Sequence, residues 1–258
     1  MKEEALSKSF LHLVEIMQTL RQQCPWDKKQ TIQSLRSLSI EELYELVDTI
    51  DQNDWQGMKE ELGDVLLHLL FYSVIGEEQQ QFTLVDVMQT LAEKLIVRHP
   101  HIYGNVVAED EETVKRNWEA IKMKEGKKSL LQGVPKSLPA VVKALRIQEK
   151  AKQVGFEWEN KEQVWQKVEE ETQELLQAVE SGHKAAMEEE LGDVLFSYIN
   201  YARFIGVDPE TALARTNQKF INRFNAMEVL AADQEQQLAN LTLQEMDELW
   251  NRVKKMRE

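Results

Sequence analysis

Two stretches decide the fold: IEELYELVDTI (40–50) with KEELGDVLLHLLFY (59–72), and VEEETQELLQAVE (168–180) with EEELGDVLFSYINYA (188–202). Residues 42, 45, 61 and 64 recur at 171, 174, 190 and 193, a constant offset of 129. EKLIVRHP (93–100) and QKFINRFN (218–225) then repeat at an offset of 125, and NWEAIK (117–122) and LWNRVK (249–254) at 132. Shared helical composition does not reproduce four blocks in one order with gap-free ELGDVL, so the chain reads as an internal duplication.

Each copy is helical. Apolar residues recur at three- and four-residue spacing, as in Leu6, Phe10, Leu13, Val14, Met17 and Leu20, and only 10 Gly and 5 Pro interrupt 258 residues. No segment sustains the two-residue alternation of a strand, so the expected class is all-α, two tandem helical bundles. The expected domains are 1–122 and 137–258. The stretch MKEGKKSLLQGVPK (123–136), with two glycines and a proline among charges, suits a linker.

Within a helix, residues three or four apart share a face. Glu171 and Glu174 are therefore neighbours, with Glu170 one turn from Glu174, and Glu190 and Asp193 share a face of the following helix. Between them, Ser181-Gly182-His183 reads as a turn. Glu174 and Glu190 each lie eight residues from Gly182, and Glu45 and Glu61 each lie eight from Asn53. At a rise of about 1.5 Å per residue, both arms place their acids about 12 Å from the bend. An antiparallel hairpin then brings the two acidic pairs level.

Carboxylates gathered at one height repel strongly without a cation. An all-oxygen donor set, with no histidine common to both copies, suits a hard ion such as Mg²⁺, with Mn²⁺ as a substitute. A Glu run is often only a solvated helix face, but here the apolar Leu-Gly-Asp-Val-Leu continuation puts the acids beside the core. Gly63 and Gly192 sit mid-helix, where Gly costs about 1 kcal/mol relative to Ala, which suggests that a neighbouring helix or a phosphate approaches closely there.

Lys219 and Arg223 point the same way from a later helix, as do Trp250 and Lys254. The first pair suits phosphate, and a Trp beside a Lys can pack on a nucleotide while the ammonium reaches an oxygen. Taken singly, such pairs are commonly surface ion-pair donors or packed aromatics; their recurrence in both copies points to a ligand. His99, His101 and Cys24 read as capping or packing residues.

Exclusions narrow the class. With 31 Lys and Arg against 45 Asp and Glu, the net charge is −14, which disfavours nucleic-acid polymers and anionic lipid. Cys24 is the single cysteine, so neither an intrachain disulfide nor a thiolate zinc cluster can form. The opening MKEEALSKSF lacks a signal-peptide core, and the apolar run Val65 to Ile75 is too short to span a bilayer, so a cytoplasmic protein is expected. No GxxxxGK[ST] loop, Nudix box, His-Asp pair or duplicated Glu-x-x-His is present.

EELYE (41–45) with ELGD (61–64), CPWDKKQT, RHPHIY (98–103), EEETQE with ELGD (190–193), GFEW (155–158) and NQKFINRF (217–224) together resemble MazG nucleoside triphosphate pyrophosphohydrolases. The resemblance runs over essentially the whole chain. It implies an all-α pyrophosphatase fold, Mg²⁺ dependence, a homodimer, and cleavage of NTP to monophosphate and pyrophosphate, with the C-terminal copy as the main catalytic domain. Carried over by motif, Glu171, Glu174, Glu190 and Asp193 would hold Mg²⁺, and Lys219, Arg223, Trp250 and Lys254 would contact the nucleotide. Glu170 is the candidate acceptor of the attacking water's proton.

The first copy keeps Glu41, Glu42, Glu45, Glu61, Asp64, Lys94, Arg98, Trp118 and Lys122 as a possible second site. The competing expectations are a nucleotide- or partner-binding regulator with a structural metal, and a phosphohydrolase that releases orthophosphate. If the catalytic expectation holds, Glu171→Ala abolishes metal-dependent turnover; a steady-state assay that finds it intact removes the C-terminal assignment.

Overall fold

A computed structural model describes residues 2–108, 110, 113, 114, 117, 118, 121 and 129–256. Among them there is no strand, and no helix is long and apolar enough to cross a membrane. The chain divides into two compact units, Met1–Trp118 and Glu119–Glu258. The expected linker at 123–136 lies partly, at 123–128, outside the described residues, as does Lys122.

Unit 1 contains α1 (Lys2–Gln23), α2 (Ile32–Gln52), α3 (Trp55–Glu78), α4 (Leu84–Arg98) and the short α5 (Pro100–Tyr103). Unit 2 contains α6 (Ala140–Lys152), α7 (Lys161–Ser181), α8 (Lys184–Phe204), α9 (Pro209–Ala232) and α10 (Leu243–Met256). The central object in each unit is a tight helical hairpin, α2–α3 and α7–α8.

Local chemistry fixes both hairpins. Thr31 starts α2 with a reciprocal box to Ser34, and Asn160 starts α7 by accepting from the Gln163 amide. The first helix of each hairpin ends in the left-handed region, at Asn53 (φ 55°) and Gly182 (φ 70°). Asn and Gly tolerate this conformation, which reverses the chain within one residue. The return helix is capped at once: Asp54 Oδ1 accepts from the Gln56 and Gly57 amides, and His183 Nδ1 accepts from the Ala186 amide. The two turn residues are the points about which the eight-residue arms were counted.

The cores differ more than the hairpins do. In unit 1, Met17 of α1 packs with Leu35 of α2 and Leu70, Phe71 and Ile75 of α3, all 2% exposed or less. The apolar run on α3 thus has one buried face, carrying Leu70, Phe71 and Ile75, while Leu67 and Leu69 are exposed. In unit 2, Val164 and Val168 of α7 are fully buried, and a separate cluster joins Met227 and Ala231 of α9 to Leu249 and Val253 of α10.

Each unit is also tied by an arginine–carboxylate fork, from different places. In unit 1, Arg21 of α1 donates Nε and Nη2 to the two oxygens of Glu78 at the end of α3 (2.8 and 2.7 Å). In unit 2, Arg203 of α8 donates Nη1 and Nη2 to Glu157, in the loop before α7 (2.6 and 2.7 Å). The hydrogen bond from Arg21 holds the Glu78 carboxyl below its usual range. A depressed carboxyl contributes stability above its unfolded range and loses it as pH falls through the folded value. Glu78→Gln should therefore lower the unfolding temperature at neutral pH, and the gap to the parent should close on acidification, as followed by circular dichroism.

Candidate active site

The hairpins bring together three of the four acids expected in each copy. In unit 2, one carboxylate oxygen each from Glu171, Glu174 and Glu190 lie within 4.8 Å of one another, and Glu42, Glu45 and Glu61 do the same in unit 1. An octahedral Mg²⁺ with bonds of about 2.1 Å needs ligand oxygens roughly 3 to 4 Å apart, so both triads fit a divalent cation. Asp193 and Asp64 stand one turn on from Glu190 and Glu61. Asp64 is near enough for its charge to raise both Glu42 and Glu61.

Proton affinity records the crowding. Glu174 is raised above the ordinary carboxylate range, first by a hydrogen bond shared with Glu171, then by desolvation and the charges of Glu171 and Glu190. Glu42 and Glu61 are raised chiefly by desolvation, then by neighbouring acids. Glu61 Oε2 is also sealed from solvent without a hydrogen-bond partner. Such an orphaned oxygen beside two more carboxylates is what a cation would satisfy.

Glu170 is not one of the three converging acids, but it and Glu171 are both held by Lys167 Nζ, at 2.7 and 2.8 Å. These two hydrogen bonds raise Lys167 well above its ordinary range. Glu41 is exposed. Nothing lies within 4 Å of where a Cβ would stand at Gly63 or Gly192. The close approach expected of a neighbouring helix is therefore not made among the described residues, and the space beside each of these glycines is open.

The cationic and aromatic pairs are brought together in a way their spacing did not show. The Arg223 guanidinium lies 5.6 Å from the centre of the Trp250 ring, which also meets Phe220 at 5.2 Å. In unit 1, Arg98 lies 5.7 Å from Trp118, whose ring also meets His99. Lys219, Arg223 and Lys254 form no ion pair with any described residue. Lys94 and Lys219 are exposed.

Sequence reasoning missed a cavity of about 430 Å³ in unit 2. Glu171, Asp193 and Lys167 form its charged edge, Phe156, Trp158 and Phe196 its aromatic wall, and Gln148, Ser197, Asn200 and Arg203 its polar wall. Comparing the copies at offsets of 130 for α1 against α6 and 129 for the hairpins shows where the cavity wall of unit 2 differs from unit 1. Ala151, Ser197 and Asn200 correspond to Arg21, His68 and Phe71.

These larger side chains pack together in unit 1. Phe71 is 2% exposed, with Arg21 5.9 Å and Trp26 6.5 Å from its ring centre. His68 turns Nε2 toward Glu42 (3.8 Å), while Nδ1 and the Tyr72 hydroxyl share Ser39. Burial holds His68 below its ordinary pKa. Lys167 likewise has Leu38 as its counterpart, a difference visible in the aligned copies.

The chain matches the family model described as the MazG nucleotide pyrophosphohydrolase domain twice, at residues 30–103 and 159–227. It is 45% identical over 250 residues to the nucleoside triphosphate pyrophosphohydrolase/pyrophosphatase MazG of Thermotoga maritima, covering 95% of both chains. It is 36% identical over 252 residues to the nucleoside triphosphate pyrophosphohydrolase of Escherichia coli, covering 94% of this chain and 96% of that one. It is also 45% identical to the uncharacterized protein YabN of Bacillus subtilis, matching 98% of this chain and 53% of that protein.

If each triad holds a cation, Glu171→Gln and Glu42→Gln should each remove one class of site. Calorimetric titration with Mn²⁺ alone should show each single variant losing one class and the double variant losing both. Loss of a direct ligand should weaken its site at least about tenfold, since even supporting contacts are worth that much.

Proposed function

The chain belongs to the MazG nucleotide pyrophosphohydrolase family, a family of hydrolases, and on that footing we propose that it converts nucleoside triphosphates to monophosphates and pyrophosphate in unit 2. The observation that carries this reading is the cavity of about 430 Å³, whose wall includes Glu171 and Asp193. A nucleoside seated there would extend its phosphates toward the carboxylates. In unit 1 the corresponding space is taken by Phe71, Arg21 and His68, which explains a single nucleotide site despite two acidic triads. In this reading residues 1–122 and 137–258 are the two copies, and 123–136 joins them.

Glu171, Glu174, Glu190 and Asp193 are the residues that would hold Mg²⁺, or Mn²⁺ in its place. The ion supplies charge neutralisation of the triphosphate and a more acidic water. The chain's own residues do the rest. Lys219, Arg223 and Lys254, unpaired with any described residue, grip phosphate oxygens, and Trp250 holds Arg223 in place through its ring face.

The open space at Gly192 admits a phosphate beside Glu190 and Asp193. Water attacks the α-phosphorus in line, the bond to the α–β bridging oxygen breaks, and pyrophosphate leaves with that oxygen. Glu170 accepts the water's proton; Lys167 on its Oε1 leaves the second oxygen for this task.

A homodimer is supported by large apolar side chains left on the surface of unit 2, including Leu191, Leu195 and Tyr198 on α8 and Phe220, Ile221 and Phe224 on α9, each at least 39% exposed. In this reading the enzyme is cytoplasmic and acts on free nucleotides, and its net charge of −14 speaks against nucleic-acid polymers and anionic membranes as partners.

A panel of NTPs and dNTPs with Mg²⁺, scored separately for pyrophosphate and orthophosphate, should yield pyrophosphate alone. Copying the unit 1 fillers into unit 2, as Ser197→His with Asn200→Phe, should lower kcat/KM at least about tenfold while Mn²⁺ binding is retained. Unchanged turnover in the filled variant would remove the cavity from the substrate site.

A further inference from the structure

We propose that Gln148 reads the nucleobase, its side-chain oxygen accepting a hydrogen bond from an exocyclic amino or ring N–H group on the edge of the base. The proposal rests on the nucleoside occupying the unit 2 cavity.

Gln148 is 6% exposed on α6 and borders that cavity. Its Nε2 donates to the Phe196 carbonyl of α8 at 2.9 Å. A carbonyl can only accept, so this bond settles which end of the carboxamide is nitrogen. The remaining end, Oε1, is sealed from water and accepts no hydrogen bond. A buried acceptor without a donor costs about 1–3 kcal/mol, and a ligand N–H recovers that cost.

A second orphan borders the same cavity. Arg203 spends Nη1 and Nη2 on Glu157 and Asn200, and its Nε is buried without an acceptor. One unpaired acceptor and one unpaired donor on the wall of a single aromatic-lined cavity complement a ligand that carries both on one edge, as nucleobases do. Phe156 and Trp158 offer faces for the ring to stack on.

Gln148 Oε1 demands a donor without choosing which base supplies it. Adenine and cytosine present an amino group, guanine an amino group and a ring N–H, and uracil a ring N–H. The common bases are therefore all accepted, and a base stripped of that donor is discriminated against.

The test compares ATP with purine riboside triphosphate, which differs only in lacking the 6-amino group, using the full chain with Mg²⁺. The wild-type kcat/KM should favour ATP by about tenfold, mainly through KM, with pyrophosphate as product from both. In Gln148→Leu the ratio should fall toward one because ATP loses its advantage. A wild-type ratio near one overturns the proposal without needing any variant to fold. So does a Gln148→Leu variant that slows both substrates equally, the mark of a residue that only ties α6 to α8. Failure of the underlying reading looks different: the Ser197→His, Asn200→Phe variant would then turn over ATP normally.

Discussion

Like charges forced together at the mid-height of a tight hairpin are the constraint on which each unit turns. Three carboxylate oxygens within 4.8 Å of one another are tolerable to a fold only where protonation, a cation or a fixed ammonium offsets their repulsion. Each copy supplies a different offset. In unit 2, Lys167 reaches from the same helix to Glu170 and Glu171. In unit 1, Leu38 stands at that position and the nearest cation-forming group to Glu42 is His68, from the facing helix. Burial lowers the His68 pKa, so its partner charge is weak near neutrality, while desolvation and then the neighbouring acids raise Glu42 and Glu61.

The hairpin was legible because its geometry is counted along the chain. A turn at Asn53 or Gly182 needs one residue able to adopt positive φ, and equal arms then fix which acids meet. Three- and four-residue spacing within each helix does the remainder. The convergence of Glu171, Glu174 and Glu190 therefore followed from residue positions and the helical rise alone. The glycine argument was legible only in part. Its cost in a helix is local, but what stands opposite depends on which group fills the space, and at Gly63 and Gly192 none of the described residues does.

The cavity was not legible for a related reason. It is an absence, formed where Ala151, Ser197 and Asn200 of unit 2 are small and lie on two helices joined by no local pattern. Periodicity reports which faces are apolar and not whether facing side chains meet. The stacking of Arg223 on Trp250 escaped in the same way, since the two residues are 27 positions apart and were read as halves of separate pairs. What could have exposed both units' difference is the duplication itself. Two copies on one hairpin template are an internal control, and a position that is small in one and large in the other marks a change in what that space is for.

That control bears on why both acidic triads persist. If unit 1 served only as a folding partner, its carboxylates would be a burden, because buried repulsion with no compensating ion destabilises the hairpin it sits in. Phe71 and Met17 fill the core of unit 1, yet Glu42, Glu45 and Glu61 remain alongside it. The two features fit together if the triad is satisfied by a cation with no nucleotide attached. The ion would then clamp α2 to α3 across the acids, while Arg21 and Phe71 occupy the space that is a cavity in unit 2. Divergence after duplication would on this argument have acted on the cavity wall first and on the cation site last, since losing the wall's emptiness costs one copy its ligand, whereas losing the cation costs the hairpin its cohesion.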